Sequence, residues 1–286
     1  MKNCMLCPRR CGADRTKTKG ACGEKDKMRV AKAMLHFFEE PPISGTKGSG
    51  AIFFYGCNLR CGYCQNAAVS RDTSGGGEVS EEELYKGMLD LQQQGAHNIN
   101  LVTAAHFAPL VARALRRVKP RLTIPVVYNS SGYELPEALA LFEGLVDVYL
   151  PDFKYADSSA AKRYSAAEDY PCVAQEAIKE MVRQVGAYRE EGGLVKKGVI
   201  VRHLVLPGLS RDGERVMRII AEKFPCARVS VMRQYTPDFN KTGDPHLDRT
   251  VTSLEYNRVV NAARELGLEG FMQGADSVGT RFTPDF

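Results

Sequence analysis

Residues 50–66 read GAIFFYGCNLRCGYCQN. An apolar run of strand length, 50–56, leads straight into a loop that sets Cys57, Cys61 and Cys64 within eight positions. Strands covered on both faces read as unbroken apolar runs of this kind. Three thiols on the loop that follows pose a choice: a metal centre with one open position, or three reduced cysteines in a turn. A four-iron, four-sulfur cube takes four thiolates, so three from one loop leave one iron free for a small chelating ligand. Catalytic zinc keeps a position open for water or substrate in the same way. Gly56 and Gly62 would let the backbone fold closely around such a centre.

Outward from this loop, apolar runs alternate with amphipathic stretches. The run 50–56 is followed by a helix over 80–95, where Ser80 and Glu83 are spaced as a capping box and Leu84, Met88 and Leu91 share a face. NINLVT (98–103), a helix from 107, LTIPVVYN (122–129), a helix near 134–143 and VDVYLPDFKY (146–155) come next. A helix near 173–187 then leads to GVIVRHLVLPG (198–208), a helix to about 223, RVSVMRQY (228–235) and a last helix over 253–266. Six strand–helix units of this type predict an α/β fold with a parallel sheet, a complete or partial (β/α)6 barrel over residues 49–286. The stretch 1–48 is polar and cysteine-rich and reads as a separate N-terminal extension. DTSGGG (72–77) is the one strongly flexible stretch.

Of 286 residues, 44% are hydrophobic, enough for a large core. The net charge of +5 is modest and both signs are scattered, which points away from nucleic acid and toward an acidic small molecule or partner. The start, MKNCMLCPRRCG, has no apolar segment of a signal peptide, and no run of about 18 apolar residues suggests a membrane span. The expectation is a cytoplasmic protein. Seven of nine cysteines lie in the first 64 residues, a clustering that favours metal binding over disulfides.

Polar residues gather where the strands end: Thr103 and His106, Asn129 and Ser131, Asp152 and Lys154, Arg202 and His203, and Gln234. Barrel enzymes build their sites on that rim. Alternation along a strand puts Asp152 and Lys154 on one face and separates Arg202 from His203. Polar strand ends that merely meet solvent would explain some of these positions.

Cys57-x3-Cys61-x-Tyr63-Cys64 resembles the CxxxCxφC motif of radical S-adenosylmethionine (SAM) enzymes, with Tyr63 as the aromatic. NINLVTAAH, YNSSGY, YLPDFKY and VRHLVLPG look like strand ends of the branch described as pyruvate formate-lyase activating enzyme-like, of the PflX type. The resemblance implies a partial (β/α)6 barrel, with a [4Fe–4S] cluster held by Cys57, Cys61 and Cys64. It also implies SAM chelated on the open iron and a reductant such as flavodoxin or ferredoxin. One electron would cleave SAM to methionine and a 5′-deoxyadenosyl radical, leaving the protein to position, tune and exclude water. Tyr63 would lie near the adenine, and Asn129, Ser131 and Lys154 would meet the ribose and carboxylate. Thr103, His106 and Asp152 would belong to the cofactor site, and His203 and Gln234 would face SAM or substrate. The superfamily's second strand usually ends in a glycine-rich motif and an acid; here Thr103-Ala104-Ala105-His106 departs from it, and GGGE at 75–78 lies elsewhere.

Cys4, Cys7, Cys11 and Cys22 are spaced C-x2-C-x3-C-x10-C. Four thiolates complete a closed site, for zinc or for an auxiliary iron–sulfur cluster, and either would fold a core-poor segment. Arg9 and Arg10 are placed to stabilise a negative thiolate centre. Cys172 and Cys226 fit no cluster spacing and are expected as small buried hydrophobes. Three functions compete: activation of a glycyl radical enzyme, radical modification of a small molecule, peptide or protein side chain, and a non-catalytic iron–sulfur or zinc protein. The third predicts cluster assembly without SAM cleavage.

Overall fold

The computed structural model describes residues 1–71, 75–274, 277 and 279; the first half of the glycine-rich stretch, 72–74, lies outside them. In chain order, β1 (Val30–His36), α1 (Pro41–Ser44), β2 (Ser49–Phe54), α2 (Ala67–Ser70), α3 (Glu81–Gln93) and β3 (Ile99–Val102) make the first part. There follow α4 (Ala108–Val118), β4 (Val126–Ser130), α5 (Pro136–Leu139), β5 (Val148–Pro151), α6 (Ser158–Ser165) and α7 (Tyr170–Val185). The chain continues with β6 (Arg189–Glu191), β7 (Leu194–Leu204), α8 (Ser210–Lys223), β8 (Arg228–Met232), α9 (Ser253–Glu265) and β9 (Gly270–Met272).

The sheet runs β1-β2-β3-β4-β5-β7-β8-β9, with β6 paired to β7 alone. Every neighbour from β2 to β9 along this path is parallel, as the unbroken apolar strands predict. β2 is buried at all six positions. Against its far edge lies β1, antiparallel, with His36 opposite Ser49 and Leu35 opposite Gly50. The curved sheet is open, with β1 and β9 at the two ends of the path. This is the α/β class and the partial parallel barrel expected from sequence.

The core joins the sheet to the helical layer. Leu84, Met88 and Leu91 of α3 are buried as one face, and Ser80 and Glu83 form the capping box. The sequence reading missed β1, β6, α6 and β9, and the single-turn helices α1 and α2. β1 is only partly buried along its length, so it lacks the apolar run that betrays the central strands. Three residues of β9 are too few to show a period. The helix expected at 134–143 is one turn, Pro136–Leu139, continued by a 3₁₀ turn over Ala140–Phe142. Cys172 is exposed on the first turn of α7 and Cys226 is half-buried in the turn before β8, so neither is the core residue expected.

Glu134, just beyond β4, is wholly buried and accepts hydrogen bonds from the hydroxyls of Tyr128, at 2.8 Å, and Ser130. Burial pushes its carboxyl up to about 7. The unfolded chain would ionise Glu134 near its ordinary 4.5, so folding stability falls as pH rises from there to about 7 and is level above. A gap of this size corresponds to roughly 3 kcal/mol. Glu134→Gln should therefore flatten that part of the pH–stability curve. Urea melts of both proteins at pH 5 and pH 8 check it; an unchanged slope would refute the assignment.

Candidate active site

The loop after β2 carries the three thiols onto the wall of one cavity of about 720 Å³, within the range of cofactor and substrate sites. Cys57, Cys61, Cys64, Tyr63, Thr103, Asn129, Ser131, Asp152, Lys154 and Gln234 all line it. Donors are aimed at the sulfurs. The Leu59 amide donates to Cys57 Sγ at 3.4 Å, Ser70 Oγ to Cys64 Sγ at 3.4 Å and Ser165 Oγ to Cys61 Sγ at 3.0 Å. Donors to sulfur tune thiolate-bound iron–sulfur clusters. Burial, aided by the neighbouring Cys64 and Cys57 and opposed by Lys154, pushes the Cys61 thiol up to about 12, so an unligated sulfur there stays protonated. Among the described residues, no group of three or more His, Cys, Asp or Glu side chains is arranged to hold a single metal ion. The donor set, three cavity-facing thiols within one loop, fits a cluster held at three corners.

Behind the triad runs a chain of hydroxyls. Tyr63 Oη meets Tyr155 Oη at 2.6 Å, Tyr155 Oη meets Ser165 Oγ at 2.9 Å, and Ser165 reaches Cys61. Thr103, at the end of β3, takes φ +62°, a left-handed conformation that is costly for a β-branched residue. It stands where the glycine-rich motif was expected, so this chain makes the turn without glycine.

Across the cavity lies a ladder of alternating charge. Lys154 Nζ is 2.6 Å from Asp152 Oδ2, and Arg202 Nε donates to Asp152 Oδ1 at 3.0 Å. Arg202 also donates to Asn129 Oδ1 at 2.6 Å and to Glu39 Oε2 at 3.3 Å. Glu39 Oε1 accepts from Asn100 and Asn129, each at 3.0 Å. Burial pulls Asp152 upward, but Arg202 and Lys154 outweigh it and hold the carboxyl below its ordinary value. Burial lowers Lys154 and Asp152 raises it, with the carboxylate prevailing. Arg202 was named from sequence as a polar strand end but given no role, and Glu39 was not named at all; Glu39 sits in the segment read as cysteine-rich extension, just beyond β1, a strand the sequence reading missed.

Two candidates lie outside the cavity. His203 alternates away from Arg202 along β7 and meets the Phe153 carbonyl through Nδ1 at 2.9 Å. His106 Nε2 meets the Tyr55 carbonyl at 2.6 Å. Burial lowers His203 to about 4 and His106 to about 3, so both are neutral packing groups at physiological pH.

The N-terminal cysteines come together beside the triad loop. Cys4, Cys7 and Cys22 are buried and Cys11 is exposed. A Cβ on Gly20 would lie 3.4 Å from Cys11 Sγ and 3.6 Å from Cys22 Sγ, which brackets these two sulfurs. The Cys57 amide donates to the Cys22 carbonyl at 3.0 Å, joining the two loops. Gly56, at φ +83°, is needed there, since a Cβ would stand 2.7 Å from that same carbonyl. At Gly62 a Cβ would meet Thr242 Cγ2 at 2.5 Å. Arg9 donates to Asn58 O at 2.8 Å, Leu59 O at 3.1 Å and Ser165 O at 2.9 Å, so it clamps the triad loop rather than serving its own cysteines. Arg15, almost fully buried, donates to His106 O at 2.6 Å and Lys25 O at 2.5 Å, which ties the segment to the sheet.

Residues 51–220 match the radical SAM superfamily, and the chain belongs to that superfamily. It is 29% identical over 275 residues to an uncharacterised protein of Methanocaldococcus jannaschii, covering 94% of this chain and 76% of that one. It is 24% identical over 211 residues to the pyruvate formate-lyase-activating enzyme of Clostridium pasteurianum, covering 71% and 82% of the two chains. Among solved structures, Streptococcus suis SuiB bound to its precursor peptide SuiA superposes with a TM-score of 0.54 at 13% identity, over 77% of this chain and 47% of that one. SuiB bound to S-adenosylmethionine gives 0.52 at 12% identity, over 77% and 48%. The chain thus spans about half the length of SuiB, and at this identity the likeness concerns the fold. Superfamily membership implies a [4Fe–4S] cluster and SAM as cofactors. Among the described residues no helix is long and apolar enough to cross a membrane.

Proposed function

We propose that the chain cleaves SAM at the Cys57–Cys61–Cys64 loop and directs the radical to a peptide or protein substrate, activation of a glycyl radical enzyme being the leading case. The observation that carries this is the convergence of three thiols and a polar, charged wall on one cavity of about 720 Å³. When bound, the cluster and SAM supply a 5′-deoxyadenosyl radical that abstracts hydrogen from the substrate. The chain's own residues bind and orient. Ser70, Ser165 and the Leu59 amide direct hydrogen bonds at the sulfurs. Asn129, Ser131, Thr103, Lys154 and Gln234 offer polar groups to the SAM ribose, carboxylate and amine, and Tyr63 offers its backbone to the adenine. The similarity to a pyruvate formate-lyase-activating enzyme supports the leading case. The peptide seen on SuiB, together with the exposed Phe37 and Phe38 on the cavity wall, supports a polypeptide substrate more broadly. A cavity of this size also admits a whole small molecule.

Electrons would come from a small reductant of the flavodoxin or ferredoxin kind. Incubation of the reduced protein and SAM with a purified glycyl radical enzyme tests the leading case by electron paramagnetic resonance. A glycyl radical signal supports it. SAM cleavage without that signal would shift the reading to another peptide or a small molecule.

The proposal includes a second metal centre, zinc or an auxiliary iron–sulfur cluster, on Cys4, Cys7, Cys11 and Cys22 within the 1–48 module. Four thiols gathered in a segment with little apolar core support it. Replacing Cys4 and Cys7 with serine should remove one metal centre and spare the iron of the triad. Metal analysis checks this, and unchanged stoichiometry would remove the N-terminal site from the account.

A further inference from the structure

The floor of the cavity holds more carboxyls than cations. Its charged side chains are Glu39, Glu40, Asp152, Lys154 and Arg202, three carboxyls against two cations. Asp152 is held by Lys154 and Arg202, and Glu39 by Arg202 and two side-chain amides. Glu40 is the odd carboxyl. It is 8% exposed; Arg202 and Ser230 both act on its carboxyl, but among the described residues its Oε2 meets no hydrogen-bond donor. Asn100, whose Nδ2 donates to Glu39, likewise has an Oδ1 that is buried and unmet. Two buried acceptors without donors, on or next to one floor, call for a donor from outside the chain. A carboxyl in this state costs a few kcal/mol unless something pairs with it.

The approach to this floor is aromatic. Phe37 and Phe38, immediately before the two glutamates, line the same cavity and are 51% and 52% exposed. An apolar stem against the phenyl rings and a cation at the floor is the chemistry this wall presents. The whole stretch lies before residue 51, outside the part of the chain that matches the superfamily.

From this we infer that Glu40, behind the Phe37–Phe38 wall, receives a primary ammonium or guanidinium group of the substrate. The inference rests on reading the cavity as the active site, and it names the substrate class: an organic cation on an apolar stem, such as a basic side chain of a polypeptide. The substrate's donors pair Glu40 Oε2, while Asp152 and Glu39 stay occupied by the chain's own cations. The reacting carbon then lies between this anchor and the thiol loop.

The test is calorimetric titration of the full-length protein at neutral pH with 4-phenylbutylamine and with its neutral counterpart 4-phenylbutanol. A charge-assisted hydrogen bond to a buried carboxylate predicts that the amine binds at least about 10-fold tighter than the alcohol. Glu40→Gln should erase that preference and leave the alcohol's affinity unchanged, whereas Glu40→Asp should keep part of it. Melting curves and iron content of both variants report whether they fold. Equal affinity of the wild type for amine and alcohol would overturn the proposal whatever the variants do, and would leave Glu40 as a hydrated carboxyl. A preference that survives Glu40→Gln would also overturn it. Neither result bears on SAM cleavage, which is read separately as 5′-deoxyadenosine.

Discussion

Cys61→Ala should abolish SAM cleavage, lowering 5′-deoxyadenosine formation by more than about 10³-fold, since a cluster left with two protein ligands on this loop is not held. Of the three thiols Cys61 is the most deeply set: it is buried, receives the Ser165 hydroxyl at 3.0 Å and feels the charge of Lys154. The loop itself should survive the change. Its backbone is fixed from outside by Arg9 and by the Cys22 carbonyl, neither of which involves the Cys61 sulfur. The variant should therefore melt close to the wild type while losing the iron of the triad. Normal turnover in Cys61→Ala would contradict the assignment, and loss of folding would show that the sulfur packs as well as ligates. Ser165→Ala should act more mildly, shifting the midpoint potential of the cluster without emptying it.

Arg202→Met should destabilise the fold by about 3–5 kcal/mol, the usual cost of removing one partner from a buried ion network. Arg202 joins β7 to Asp152 beyond β5, to Asn129 of β4 and to Glu39, and removal leaves two carboxylates facing each other across the barrel. Lys154 still neutralises Asp152, so the larger loss falls on Glu39. Arg202→Lys should recover part of the stability, because an ammonium supplies the charge but not the forked contacts. Urea unfolding of the three proteins measures both effects. A cost below about 1 kcal/mol for Arg202→Met would mean that water already solvates these groups.

The apolar run 50–56 announced the first central strand, and the strand-end polar residues announced the cavity wall. Alternation separated Arg202 from His203 correctly: the first points inward and the second packs on the Phe153 carbonyl. His106 was drawn in by its place after β3, yet the 3₁₀ turn Ala105–Phe107 carries its ring to the Tyr55 carbonyl. Short-range pattern cannot reveal such a turn. Glu39 and Glu40 were illegible for a different reason. They act across the barrel, Glu39 on a residue 163 positions away, and nothing local in FFEEPP marks them as part of a floor. The N-terminal cysteines were legible as a group by spacing, whereas the Arg9 clamp on the triad loop needed the fold, because its acceptors are backbone carbonyls with no sequence signature.

The most direct test of the central claim is 5′-deoxyadenosine formation by the anaerobically reconstituted, chemically reduced protein supplied with SAM. The account predicts the nucleoside and methionine in equal amounts, with Cys61→Ala silent under the same conditions. A fully loaded, reducible cluster that forms no 5′-deoxyadenosine, alone or with candidate basic peptides, would contradict the account and leave an iron–sulfur protein that binds without cleaving.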